Sequence, residues 1–128
     1  MARCSTTKCP CRGQTLDRLV QPALLAFLAR KPQNGYHLLG QLAQMPMFRA
    51  SPPNAAGVYR HLKDMEKRGL LRGAWNLSVN GPASRRFQLT AEGRACLKVW
   101  ALTLDDYVKN LGRMRVLIRA AAKRTKAR

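Results

Sequence analysis

Four cysteines and two histidines give this chain its most reactive side chains. Cys4, Cys9 and Cys11 crowd the N-terminal stretch MARCSTTKCPCRGQT. Their Cys-x4-Cys-x-Cys spacing matches no standard zinc finger and supplies only three thiolates. Cys96 completes a set of four if this stretch folds onto the helix that carries it. Lys8 and Arg12 flank the thiols and favour the thiolate form. A metal ion, an iron–sulfur cluster or reversible oxidation is the chemistry that follows. The plainer alternative is a loose tail plus a helical Cys96 buried by packing. His37 and His61 read as a surface and a groove-side histidine rather than as ligands. The sequence presents no nucleophile–base pair, phosphate loop or paired carboxylates, so it does not read as an enzyme. What dominates is cation chemistry: 24 Lys and Arg stand against 6 Asp and Glu, a net charge of +18. Nucleic acid is the polyanion that such a charge fits.

These cations need elements to position them, and the densest group lies in Ser51–Leu71, SPPNAAGVYRHLKDMEKRGLL. Ser51-Pro52-Pro53 holds the chain extended, because paired prolines lack donors. Asn54 is a good N-cap. Val58, Leu62 and Met65 then recur at helical spacing, with Leu70 after the turn. Arg60, Lys63, Lys67 and Arg68 occupy the other face. Gly69 suits a left-handed C-cap. The spacing predicts a helix over 54–68 that buries one side and offers the other to a polyanion. Charge alone does not demand that, since most charged helix faces are only solvated.

Two helices precede it. Leu16–Arg30 carries an apolar face of Leu19, Ala23, Leu24, Phe27 and Leu28, with Asp17 as a cap and Pro22 either in the first turn or at a bend. Lys31–Gly35 is a loop by composition. Tyr36–Gln44 turns Leu38, Leu39 and Leu42 inward and ends at Met45-Pro46. Two short strands follow, Arg72–Val79 and Arg85–Leu89, joined across Asn80-Gly81-Pro82. The hairpin tip carries Ser84, Arg85 and Arg86. Thr90 then caps a last helix of about 28 residues from Arg94. Leu97, Leu104, Leu111 and Ile118 lie seven apart, and so do Trp100, Tyr107 and Met114. That two-position seam is the pattern of a helix lying lengthwise on another helix, a dimer interface. Residues 1–15 form a tail, 16–90 the DNA-binding unit, 91–122 the dimerisation helix and 123–128 a basic, frayed end. Residues 1–15 lack an apolar core of a signal, and Leu19–Leu28 is too short to span a bilayer, so a cytoplasmic protein without membrane contact is expected.

The fold class is therefore mainly α with a small β hairpin. It is a winged helix-turn-helix followed by a long C-terminal dimerisation helix. In that arrangement the helix at 54–68 enters the major groove of double-stranded DNA and the hairpin wing meets the backbone or the minor groove.

The run GYHLLGQLAQ…SPPNAAGVYRHLKDMEKRGLLRGAW…GPASRRFQLTAEGRACL resembles the PadR family of bacterial transcriptional regulators. Gly35-Tyr36, Tyr59, Leu62, Glu66, Gly69-Leu70, Gly81-Pro82, Arg86 and Leu89-Thr90-Ala91-Glu92-Gly93 carry the resemblance, which covers about Leu16–Lys109. It implies a homodimer, joined through the C-terminal helix and often the first helix, that represses a promoter and is released by a small effector. The usual Pro-Gly-Thr before the Tyr helix reads Pro53-Asn54-Ala55-Ala56-Gly57-Val58 here. The groove-facing residues differ accordingly, and no operator sequence carries over. The cysteines of the tail are not part of the common pattern.

Within the resemblance, Tyr59 and Arg60 read the groove, joined by Asn54 and Lys63, with Lys67 on the same helix and Arg85 and Arg86 on the wing. Asn pairs with adenine and Arg with guanine, while phosphate contacts only position the protein. Tyr59 has a rival place as a core aromatic. Trp100 and Tyr107 serve either dimer packing or an effector cavity between the last helix and the first, since some relatives bind flat aromatic ligands with seam residues. The competing function is a basic protein that binds nucleic acid without sequence preference or effector control. Such a protein would not need the seam.

Overall fold

Four α-helices and a three-stranded sheet enclose one apolar core in the computed structural model, which describes residues 17–49, 51–76 and 84–125. Helix α1 (Val20–Arg30) is entered through a 3-10 turn at Asp17–Leu19. Leu19, not Asp17, is its N-cap, without a side-chain cap bond. Pro22 sits in the first turn, where its missing N–H has no helical acceptor to lose. Because α1 touches α2, α3, α4 and β3, its buried face is wider than the spacing suggested. Leu25 is fully buried beside Val20, Leu24 and Leu28, whereas Leu19, Ala23 and Phe27 are partly covered.

Gln33–Asn34, expected as loop, forms β1 and pairs antiparallel with β3, Gln33 opposite Phe87 and Asn34 opposite Arg86. Two residues carry no period to read. Their pairing comes from the partner strand, and the buried Gln33 amide is satisfied by the Phe27 carbonyl at 2.9 Å. Helix α2 (Gly35–Gln44) starts where the Asn34 side chain accepts from the His37 amide at 2.9 Å. It buries Leu38 and Leu42, and a 3-10 turn at Pro46–Phe48 then drops Phe48 into the core.

Helix α3 (Ala55–Lys67) is capped as expected: Asn54 Oδ1 accepts from the Gly57 amide at 2.7 Å. Val58, Leu62 and Met65 are its buried stripe. The helix stops at Gly69, whose φ of 80° is left-handed. Its chain then enters β2 (Leu71–Asn76), which pairs antiparallel with β3 (Ser84–Leu89) in a sheet of order β1-β3-β2. The turn Asn80-Gly81-Pro82 lies outside the described residues. Arg85 and Arg86 therefore belong to strand β3 and not to the hairpin tip.

Helix α4 runs from Ala91 to Arg124, about 51 Å long at helical rise. It stays helical through Arg119–Arg124, where the sequence suggested fraying and a basic end from 123, because Ala120-Ala121-Ala122 are the strongest helix formers available. Thr90 fixes its start. Its hydroxyl accepts from the Gly93 amide at 3.0 Å and donates to the Gly69 carbonyl at 2.6 Å. One side chain thus caps α4 and ties it to the end of α3. Thr90→Val keeps the shape but leaves both partners unsatisfied, and should lower stability by about 1–2 kcal/mol in thermal or urea unfolding. No helix among the described residues is long and apolar enough to cross a membrane.

Candidate nucleic-acid interface

Parity along β3 decides which cations face outward. Phe87 and Leu89 are buried, and Arg85 shares their face; Arg86 and Gln88 take the other and are exposed. Arg85 was expected to contact the partner beside Arg86. Instead its guanidinium turns toward α3 and grips Glu66, Nη1 to Oε1 at 2.9 Å and Nη2 to Oε2 at 2.6 Å. Arg85 Nη2 also donates to the Gly73 carbonyl at 3.0 Å, and the Gly73 amide donates to Glu66 Oε2 at 2.9 Å. The guanidinium lies 5.3 Å over the Phe87 ring and 5.9 Å from that of Trp75.

This pairing shifts both partners. The hydrogen bond from Arg85 is the main reason the Glu66 carboxyl is held below its ordinary value of 4.5, with help from the Gly73 amide and the Arg85 charge and against partial burial. Arg85 is raised, chiefly by the hydrogen bond to Glu66. A depressed carboxyl stabilises the fold at every pH above its unfolded value. That contribution is lost as pH falls through the lower folded value, so the contact survives the ordinary carboxylate range.

The other acid of the region is also engaged. Asp64 pairs with Arg68 at 3.1 Å, and both meet Gln21 of α1. His61, expected on the groove side, faces the same Gln21, with 3.0 Å between Nδ1 and Nε2. These contacts belong to the back of α3. The front carries Tyr59, Lys63 and Lys67 at successive turns, with Arg60 beside them, all exposed. Arg86 is exposed on the outer face of β3. Among the described residues, these four cations have no carboxylate within ion-pair distance. Asn54 is exposed at the N-terminus of α3, its Oδ1 already used as the cap.

Tyr59 is neither buried core nor fully projecting. It is 47% exposed, and its ring lies over Gly35. A cavity of about 540 Å3 opens here between α3, the sheet and the start of α2. Tyr36, Tyr59, Lys63, Trp75 and Arg85 are among its walls. Tyr36 and Trp75 were missed as surface aromatics, at 77% and 66% exposure. The signal was present: Tyr36 falls off the Leu38, Leu39 and Leu42 face of its helix.

A second groove, about 390 Å3 and almost wholly apolar, runs between α1 and α4. Leu19, Ala23, Met45, Leu97, Trp100 and Leu104 are among its walls. Tyr107 does not line it, but stacks edge-on against Trp100 with centroids 6.5 Å apart. Leu97 and Trp100 pack against the core, whereas Leu104, Tyr107, Leu111, Met114 and Ile118 are exposed. Cys96 is a free, partly buried thiol against the core. Cys4, Cys9 and Cys11 lie outside the described residues, so their pairing with Cys96 does too. Among the described residues, no three His, Cys, Asp or Glu side chains come together as a metal site.

The fold recurs in solved structures. A PadR family transcription regulator from Clostridium difficile superposes with a TM-score of 0.64 at 20% identity, over 74% of this chain and 96% of that one. A PadR-like transcriptional regulator from Bacillus cereus gives 0.67 at 19% identity, over 79% and 95%. A PadR family transcriptional regulator from Eggerthella lenta gives 0.64 at 25% identity, over 77% and 84%. No curated protein matches the sequence. The family model for the transcriptional regulator PadR-like family matches residues 24–99, from the middle of α1 through α3 and the two strands after it to the first turns of α4. A helix-turn-helix with a cationic front, a β wing and this family match together place the chain in the PadR-like family of DNA-binding transcriptional regulators, and not among enzymes.

Proposed function

We propose that the protein is a homodimeric, sequence-specific repressor that releases its promoter when a small effector, or a metal or redox signal at Cys4, Cys9, Cys11 and Cys96, reaches it. One observation carries the reading. Arg60, Lys63 and Lys67 on α3 and Arg86 on β3 are outward cations, while both nearby acids are engaged by Arg68 and Arg85. The local field is thus positive where a duplex would lie. Arg60 and Asn54 offer hydrogen bonds to base edges, and Lys63, Lys67 and Arg86 neutralise phosphates. The exposed apolar seam of α4 from Leu104 to Ile118 supports the dimer, since a single domain leaves it in water. The groove beside Trp100 supports an apolar, flat effector, with Tyr107 backing the tryptophan.

The test is selection of bound duplexes from a random pool, then titration in excess nonspecific DNA. A palindrome with half-sites about one or two helical turns apart is expected. Arg60→Ala should cost about 1–3 kcal/mol on the selected site and relax one position. Lys63→Gln should weaken all duplexes alike. Equal affinity for selected and random DNA would overturn the reading.

A further inference from the structure

We infer that Arg85 serves DNA binding as a positioning residue and not as a phosphate contact: clamped by Glu66, it sets the wing at a fixed angle to the reading helix. The inference rests on the DNA-binding role proposed above.

The geometry makes one carboxylate the hub of two strands and a helix. Glu66 stands at the end of α3, one turn after Lys63 on the same side. Its Oε2 takes the Gly73 amide of β2, and both oxygens take the fork of Arg85 from β3. A bidentate pair of two planar groups resists both sliding and rotation, which a single point contact does not. Arg85 is held at both terminal nitrogens in the process. Two of its nitrogens are committed to Glu66 and one of them also to the Gly73 carbonyl, with the plane resting near Phe87 and Trp75.

The backbone is shaped to admit it. The guanidinium lies across Gly73, where a Cβ would fall 2.7 Å from Arg85 Cζ. Gly73 pairs with Phe87, two residues from Arg85 on β3. Any side chain at 73 therefore displaces the fork without altering charge. Outside this clamp, the neighbouring Arg86 points away from the core, and its direction follows from how the strand is held. The strut thus aims a contact that it does not itself make.

Two roles for Arg85 predict opposite signs for Glu66→Gln. If Arg85 were a phosphate contact restrained by Glu66, removing the carboxylate would release a cation and tighten binding. As a strut, the same change loosens the wing and weakens binding about tenfold, although the protein becomes more positive. Gly73→Ala should weaken binding to a similar degree with no charge change. Arg85→Gln should weaken it and flatten the salt slope of the dimer by no more than Arg86→Gln does, about 2, and the double variant should be no flatter than Arg86→Gln alone, because Arg85 acts through Arg86. Added to Arg86→Gln, Glu66→Gln should cost much less than alone, because little remains to be aimed. That coupling separates positioning from mere fold stability, and each variant is compared well below its own unfolding temperature.

The experiment is a salt-dependent titration of these variants on the selected duplex, beside Trp75 fluorescence in a Trp100→Phe background. Weaker binding for Glu66→Gln, a slope for the Arg85→Gln, Arg86→Gln double variant no flatter than for Arg86→Gln alone, and a shifted Trp75 emission in Glu66→Gln and Arg85→Gln are expected. Tighter binding for Glu66→Gln, or a slope that Arg85→Gln flattens by about a further 2 on top of Arg86→Gln, overturns the strut while leaving DNA binding intact. If the wild type fails to select DNA, the function proposed above fails. The strut is then judged on the Trp75 emission, and an unshifted emission in Glu66→Gln and Arg85→Gln overturns it.

Discussion

A rise in salt from about 50 to about 200 mM should weaken specific DNA binding about 1,000-fold. The magnitude follows from which cations face outward. Among the described residues, Arg60, Lys63, Lys67 and Arg86 are exposed without carboxylate partners, whereas Arg68 is paired with Asp64 and Arg85 with Glu66. Lys63, Lys67 and Arg86 meet phosphates while Arg60 reads a base, so a dimer neutralises about six phosphates, and counterion release at about 0.9 each gives a log–log slope near −5. Counting Arg68 and Arg85 as contacts would raise the slope to about −9. A monomer would show about half the predicted value. The measurement is a binding isotherm at four or more salt concentrations with the slope read directly. A slope shallower than about −4 would mean that α3 and the wing do not meet the same duplex.

Two identical substitutions in one helix should change stability in opposite directions. Gly93→Ala is expected to destabilise by about 2 kcal/mol or more, a fall in Tm of roughly 6–12 °C. A Cβ at Gly93 would run into the Leu70 carbonyl and lie 2.6 Å from Leu89 Cδ1. The carbonyl cannot yield easily, because it accepts from the Thr90 amide at 3.2 Å, and Gly69 next to it is held by the Thr90 hydroxyl. Helix propensity offsets this overlap by only about 1 kcal/mol. Gly112→Ala meets nothing within 4 Å. There the propensity acts alone, and stability should rise by about 0.5–1 kcal/mol. Thermal melts of the two variants beside the wild type decide both. The contrast also explains the run Leu89-Thr90-Ala91-Glu92-Gly93: cap and close approach are set within a single turn.

Most of the DNA-reading unit was legible because its information is local. Val58, Leu62 and Met65 announce a buried stripe by spacing alone, and that stripe turns Arg60, Lys63 and Lys67 outward. Asn54 and Thr90 are caps because their short oxygens reach an amide three residues on, a distance set by the helix itself. Gly69 ends α3 because its backbone adopts a left-handed angle at little cost. Even Arg85 was half legible. It lies two and four residues before Phe87 and Leu89, so strand parity puts it on the inner face.

What parity does not contain is the carboxylate waiting there. Nineteen residues separate Glu66 from Arg85, and they meet only because β2 and β3 fold back beside the end of α3. The strand at Gln33–Asn34 is of the same kind, since it exists through β3 and has no pattern of its own. So is the apolar groove, whose walls come from α1, the Met45 turn and α4. Periodicity and capping act over one or two turns, and the sequence by itself determined the elements governed by them, including that Arg60, Lys63 and Lys67 look outward. Contacts between elements depend on how those elements pack. Only the tertiary structure therefore decided that Arg85 turns inward to Glu66 while Arg86 is left exposed on the outer face of β3.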